Sequence, residues 1–91
     1  MNKSELISKV AEETTTSENQ VKKIIDKTIG IIISAVAAGD EVLIKGFGLF
    51  KLNRIKERTL RNIRNGKKIK VKAHKLPHFK VSETFKRIVN E

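Results

Sequence analysis

Lys51-Leu52-Asn53-Arg54-Ile55-Lys56-Glu57-Arg58-Thr59-Leu60-Arg61-Asn62-Ile63-Arg64-Asn65-Gly66-Lys67-Lys68-Ile69-Lys70-Val71-Lys72-Ala73-His74-Lys75 holds eleven basic side chains and a single acid, Glu57. The chain as a whole carries a formal net charge of +10, while the 66 residues outside this stretch hold nine basic and nine acidic groups. All of the net charge therefore sits in about a quarter of the length. Mixed signs would mark an ordinary solvated face. A run this one-sided is a field that suits a polyanion, of which nucleic acid is the commonest. The four phenylalanines, Phe47, Phe50, Phe79 and Phe85, all lie outside the stretch. Single-strand binding stacks bases on aromatic rings, so the stretch is poorly equipped for it.

Asn65-Gly66 is a strong short hairpin signal, because a type I′ turn needs positive φ at both central residues. A two-residue turn there sets Arg64 opposite Lys67, Ile63 opposite Lys68, Arg61 opposite Lys70 and Thr59 opposite Lys72. Side chains alternate along a strand. One face of the ribbon then presents Thr59, Arg61, Ile63, Lys68, Lys70 and Lys72, and the other Arg58, Leu60, Asn62, Ile69, Val71 and Ala73. Opposed like charges repel and an isolated two-stranded ribbon is marginal in water, so the arm is expected to be mobile alone and to order on an anion.

The flanks read as a compact support. Asn2 and Glu5 form a capping pair ahead of Leu6, Ile7, Val10 and Ala11 at helical spacing, giving a first helix of about three turns. Thr14-Thr15-Thr16 breaks it, and Ser17 with Gln20 caps a second helix from near Glu18. Val21, Ile24, Ile25, Thr28, Ile29 and Ile32 form a stripe, but from Ile29 onward Ile31, Ile33, Ala35, Val36, Ala37 and Ala38 cover the other faces as well. A helix apolar all round is buried all round, which points to a second chain packed on its latter half. Gly39 caps that helix. Glu41 to Lys45 is a short strand, Gly46-Phe47-Gly48 a tight link, and Leu49, Phe50 and Leu52 a strand running into the basic stretch. Leu76 to Val81 returns as a third strand with Pro77 at its start or edge, and Ser82 caps a last helix buried through Phe85, Ile88 and Val89.

Ninety-one residues make one domain, and a body of 1–52 and 76–91 carrying an arm of 53–75 leaves a marginal core that a partner copy would complete. There is no cysteine, so no disulfide or thiolate metal site holds the fold together. The N-terminus has no apolar signal segment, so the protein is expected to stay in the cytoplasm where it is made. The longest apolar run, Thr28 to Ala38, is 11 residues where a membrane span needs about 20. His74 and His78 flank Pro77 in a strand and receive no metal or catalytic role. No phosphate loop, carboxylate pair or activated nucleophile stands out, so neither an enzyme, a cofactor nor a small-molecule substrate is expected.

In order and at family spacing, the opening Met1-Asn2-Lys3-Ser4-Glu5-Leu6-Ile7, Gly39-Asp40, Gly46-Phe47-Gly48-Leu49-Phe50, Arg58, Arg61-Asn62, Gly66 and Lys75-Leu76-Pro77-His78-Phe79 resemble the bacterial HU and integration host factor family of DNA-bending proteins. The resemblance covers the whole chain. It implies an α+β fold: an intertwined dimer with a helical body, a three-stranded antiparallel sheet and protruding β-ribbon arms that enter the minor groove of a duplex. It assigns Arg58, Arg61 and Asn62 to the groove and Lys3, Lys80 and Lys86 to the flanking phosphates. Four departures stand out. Ile63 replaces the family's intercalating proline, and isoleucine is itself a known wedge. The basic residues usual at Asn53 and Ile55 are here Arg54 and Lys56. Leu60 replaces a glycine. The returning strand is basic at Lys67, Lys68, Lys70 and Lys72.

The expected function is histone-like binding, bending and compaction of double-stranded DNA in the nucleoid, by a homodimer with low sequence specificity and no membrane contact. The expected interface is Lys3, Arg54, Lys56, Arg58, Arg61, Asn62, Ile63, Arg64, Lys67, Lys68, Lys70, Lys72, Lys75, Lys80 and Lys86, with Ile63 intercalating. Two alternatives stay open at this stage: a subunit of a sequence-specific heterodimer, and a basic protein of a ribonucleoprotein assembly.

Overall fold

The structure is a computed structural model describing all 91 residues. In chain order the elements are helix α1 (Lys3–Thr14), helix α2 (Glu18–Ala37), strands β1 (Val42–Ile44), β2 (Gly48–Ile55), β3 (Arg58–Arg61), β4 (Lys68–Val71) and β5 (His74–Val81), and helix α3 (Glu83–Val89). They fall into two compact units, Met1–Ser34 and Ala35–Glu91.

In the first unit the helix ends are set by local chemistry. The Glu5 N–H donates to Asn2 Oδ1 at 2.9 Å, satisfying one of the orphan donors of α1. Thr15 takes a left-handed φ of 52° and closes the helix, the Thr16 N–H reaching back to the Ala11 carbonyl at 3.0 Å. The Gln20 N–H then donates to Ser17 Oγ at 3.2 Å to open α2. Ser8 Oγ donates to the Glu18 carboxylate at 2.5 Å, and Lys3 pairs with Asp26, so two polar contacts join the helices. Between them Ile7, Ala11 and Val21 are buried, with Val10 and Ile25 packed against them.

Helix α2 ends in a Schellman motif. Gly39 at φ +87° lets its own N–H reach the Val36 carbonyl at 3.0 Å while the Asp40 N–H reaches Ala35 at 2.9 Å. The second unit then builds an antiparallel sheet in the order β1-β2-β5 and a separate two-stranded sheet of β3 and β4. All four phenylalanines meet in one cluster. Phe50 and Phe79 are direct cross-strand partners with ring centroids 4.7 Å apart, and Phe47 lies 5.1 Å from Phe79 and 5.7 Å from Phe85. Offset aromatic pairs at such distances add to the area they bury, so this cluster ties α3 to the sheet. Ser82 caps α3, its Oγ accepting from the Phe85 N–H at 3.1 Å.

Two expectations about this half need correction. Strand β5 starts at His74, not Leu76, and pairs with β2 along its whole length; Pro77 stands opposite Leu52 within the strand, which an edge position tolerates because a missing N–H there can face away from the ladder. The supposed buried stripe of α3 is covered only at Phe85, which is half-buried. Ile88 and Val89 share its face at i+3 and i+4 but are 63% and 67% exposed, because the phenylalanine cluster of the chain reaches that face only at Phe85.

Gly48 is fixed by space. A Cβ there would run into the Phe79 ring and stand 2.6 Å from the Lys80 carbonyl oxygen. The ring could swing, but the backbone oxygen cannot without breaking the β2–β5 ladder. Gly48→Ala should therefore destabilise by about 1–3 kcal/mol, the usual penalty for overpacking. A thermal melt would read this as a fall of several degrees per kcal/mol, and an unchanged midpoint would contradict the tight approach of β2 and β5.

Candidate nucleic-acid interface

The basic stretch is one long hairpin. Strands β2 and β5 pair from Gly48↔Val81 to Ile55↔His74, and β3 and β4 resume three residues further along each strand at Arg58↔Val71, in the same register. Lys56-Glu57 and Lys72-Ala73 interrupt the ladder. At that interruption His74 Nδ1 donates to the Lys72 carbonyl at 2.9 Å, and Glu57, the only acid of the stretch, reaches across to Lys70 at 3.0 Å. Every residue of β3 and β4 is exposed except Val71, which is half-buried.

The continuity of register overturns the expected two-residue turn. Arg61 pairs with Lys68 and Thr59 with Lys70, a slip of two residues from the pairing that Asn65-Gly66 alone implied. The type I′ conformation is absent: only Gly66 has positive φ, at +68°, and Asn65 does not. The loop comprises four residues, 63–66, and it is closed by the Asn62 N–H donating to Lys67 O at 2.8 Å and the Gly66 N–H donating to Asn62 O at 2.8 Å. A slip of two, unlike a slip of one, keeps every side chain on its own face. Thr59, Arg61, Lys68 and Lys70 thus still share one face, and Arg58, Leu60, Ile69 and Val71 the other. Ile63 leaves the ladder for the tip, where it is 99% exposed.

The other departures also acquire a geometry. Asn53 and Ile55 are half-buried while Arg54 and Lys56 are exposed, so the cations stand on the solvent-facing side of the alternation. Leu60, where the resemblance expects glycine, sits in ordinary extended backbone opposite Ile69. Arg54 faces Lys75 directly across the ladder, and Lys80 lies further down β5 opposite Leu49. The hairpin thus gathers Arg54, Lys56, Arg58, Arg61, Asn62, Ile63, Arg64, Lys67, Lys68, Lys70, Lys72, Lys75 and Lys80 on one continuous element. Lys86 belongs to α3, where it pairs with Glu83 at 3.7 Å, and Lys3 belongs to α1 in the other unit. No group of three or more His, Cys, Asp or Glu side chains is placed to hold a metal, and no helix is long and apolar enough to cross a membrane.

A cationic ribbon rooted in an aromatic-cored sheet, with a bare apolar side chain at its end, defines a basic ribbon-armed protein built to meet a nucleic acid. The chain belongs to the bacterial DNA-binding protein family, whose model matches residues 1–90. It is 39% identical over 89 residues to DNA-binding protein HU-alpha of Escherichia coli, covering 98% of this chain and 99% of that one. It is 36% identical over 91 residues to DNA-binding protein HU of Buchnera aphidicola, covering 100% and 99%. Among solved structures it resembles Anabaena HU in a cocrystal with DNA, at a TM-score of 0.88 and 34% identity over 98% of this chain and 97% of that one. HU from Thermotoga maritima superposes at a TM-score of 0.70 with 30% identity, covering 98% of each.

Proposed function

We propose that two copies of this chain bind double-stranded DNA together and hold it bent, each arm lying in the minor groove with Ile63 wedged between base pairs. It acts as a structural protein of the bacterial nucleoid, in the cytoplasm, and does no covalent chemistry. Ile63 carries this reading: a large apolar side chain almost wholly exposed at the end of a cationic ribbon has no role in the chain's own core. Arginine and lysine on the two arm faces neutralise phosphates along the groove, and Lys3, Lys80 and Lys86 do so at the flanks. Minor-groove edges separate mainly A·T from G·C, so preference follows the ease of deforming a sequence more than its base identity. The relatives named HU and the DNA cocrystal of the Anabaena protein support this over the heterodimer and RNA readings. The A-form groove of duplex RNA is also a poor fit for such an arm.

Ile63→Ala tests the wedge. Truncation forfeits about 2 kcal/mol of apolar burial, but it also removes the few kcal/mol that unstacking a base step requires. The two nearly offset, so affinity should change little while the bend angle falls clearly. Energy transfer between dyes at the two ends of a duplex would read the bend. A variant that bends as strongly as the parent would remove the wedge.

A further inference from the structure

We infer that Asn62 and Asn65 are positioning residues that lock the arm tip so that Ile63 is held out as a wedge, a role that rests on the wedge reading above. The Arg64 N–H donates to Asn62 Oδ1 at 3.0 Å and the Lys67 N–H to Asn65 Oδ1 at 3.0 Å. Both are Asx turns, in which a side-chain carbonyl takes the amide two residues on and stands in for a backbone turn. With the Gly66 N–H held by the Asn62 carbonyl, the amides of Arg64, Gly66 and Lys67 are all engaged within the tip.

The reason such a lock is needed lies in Ile63 itself. A proline fixes its own φ, whereas isoleucine leaves the loop free, and fixing a free residue costs roughly 1–2 kcal/mol of backbone entropy. A loose tip would meet that cost on entering the groove, at the moment it must also open a base step. The two asparagines place most of it in the free protein. The lock also limits what Asn62 can read. Because the partner of Oδ1 is a backbone N–H, that atom is the amide oxygen with one of its two lone pairs engaged, while both Nδ2 donors are left for the groove. Those suit the acceptors of an A·T pair and clash with the guanine amino group.

The test uses the full-length protein on one duplex, with bend angle, salt dependence and hydrogen exchange in the bound state measured for Asn65→Ala, Asn65→Ser and Ile63→Ala. Serine keeps a side-chain oxygen that can make the same kind of turn. Asn65→Ala should lower the bend about as far as Ile63→Ala does, leave the salt slope unchanged, and speed exchange at the Lys67 amide roughly fivefold, as the loss of one net hydrogen bond implies. Asn65→Ser should restore most of the bend. Full bending by Asn65→Ala beside a weakened Ile63→Ala would overturn the lock and leave the wedge standing. Full bending by Ile63→Ala would remove the wedge itself. Loss of exchange protection throughout Arg58–Arg61 and Lys68–Val71 in Asn65→Ala would show that Asn65 holds the ribbon together and not the tip, which also overturns the proposal.

Discussion

Raising the salt from 50 to 200 mM should weaken binding to duplex DNA by about 10³- to 10⁵-fold, the loss expected when roughly 6–10 phosphates are neutralised and their counterions are released. The hairpin supplies the cations for this. Of the eleven basic residues between Lys51 and Lys75 only Lys70 is in an ion pair, with Glu57, and both partners are largely exposed. Such a surface pair contributes on the order of 0–1 kcal/mol and yields readily to a phosphate. The sign is unambiguous, since added cations compete with the arm for the same phosphates. Removing Lys67, Lys68 and Lys72 one at a time should reduce the logarithmic salt slope by about one unit for each that contacts a phosphate, with no change in sequence preference. Anisotropy titrations at several salt concentrations would measure both effects. A nearly flat dependence would mean that the cationic ribbon is not what holds the duplex.

The same hairpin shows what a sequence discloses and what it withholds. The elements whose limits are set within a few residues were legible: Asn2, Ser17, Gly39 and Ser82 terminate or open helices by bonds to their immediate neighbours. Charge segregation was legible too, because it needs no coordinates. The register of the arm was not. Asn65-Gly66 favours a two-residue turn in isolation, but the eight pairs from Gly48↔Val81 to Ile55↔His74, anchored by Phe50 on Phe79, fix the offset of the strands before they reach the tip. A two-residue turn would need two extra residues bulged out at the arm root. The non-local ladder wins, and the turn stretches to four residues. Face membership survived because the slip was even, so the cationic face could be read correctly from an incorrect pairing. At α3 the spacing of Phe85, Ile88 and Val89 identified an apolar face, yet nothing in it could say that the chain itself covers only Phe85. The two Asx turns were missed for a related reason: an asparagine near a turn has several backbone groups within reach, and only the four-residue loop selects among them.

Ile29→Glu should abolish dimerisation and bring down the fold with it. Val21, Ile25, Ile29 and Ile32 recur at spacings of four, four and three, and so lie on one face of α2. Val21 is buried, Ile25 and Ile32 are half-buried, yet Ile29 between them is 45% exposed in the single chain. A lone chain would tolerate the change. Glutamate is a good helix former, and an exposed helix position usually responds within about ±0.5 kcal/mol. If a second copy closes the stripe, the outcome reverses. The dimer would have to bury an unpaired carboxylate, at several kcal/mol for each ion, and an isologous interface brings the same substitution in from both sides. With Ile7, Ala11, Val21 and Val36 the only hydrophobic side chains buried in one copy, little stability remains to absorb that loss. The parent protein should sediment as a dimer and melt at a temperature that rises with concentration, as a linked association requires. The variant should be monomeric and largely unfolded, and should lose the high-affinity binding that depends on two arms. Ile29→Leu, which keeps the apolar volume, should behave like the parent. If Ile29→Glu instead melts with the parent, at a midpoint independent of concentration, the stripe faces water and the two-armed grip on DNA loses its structural basis.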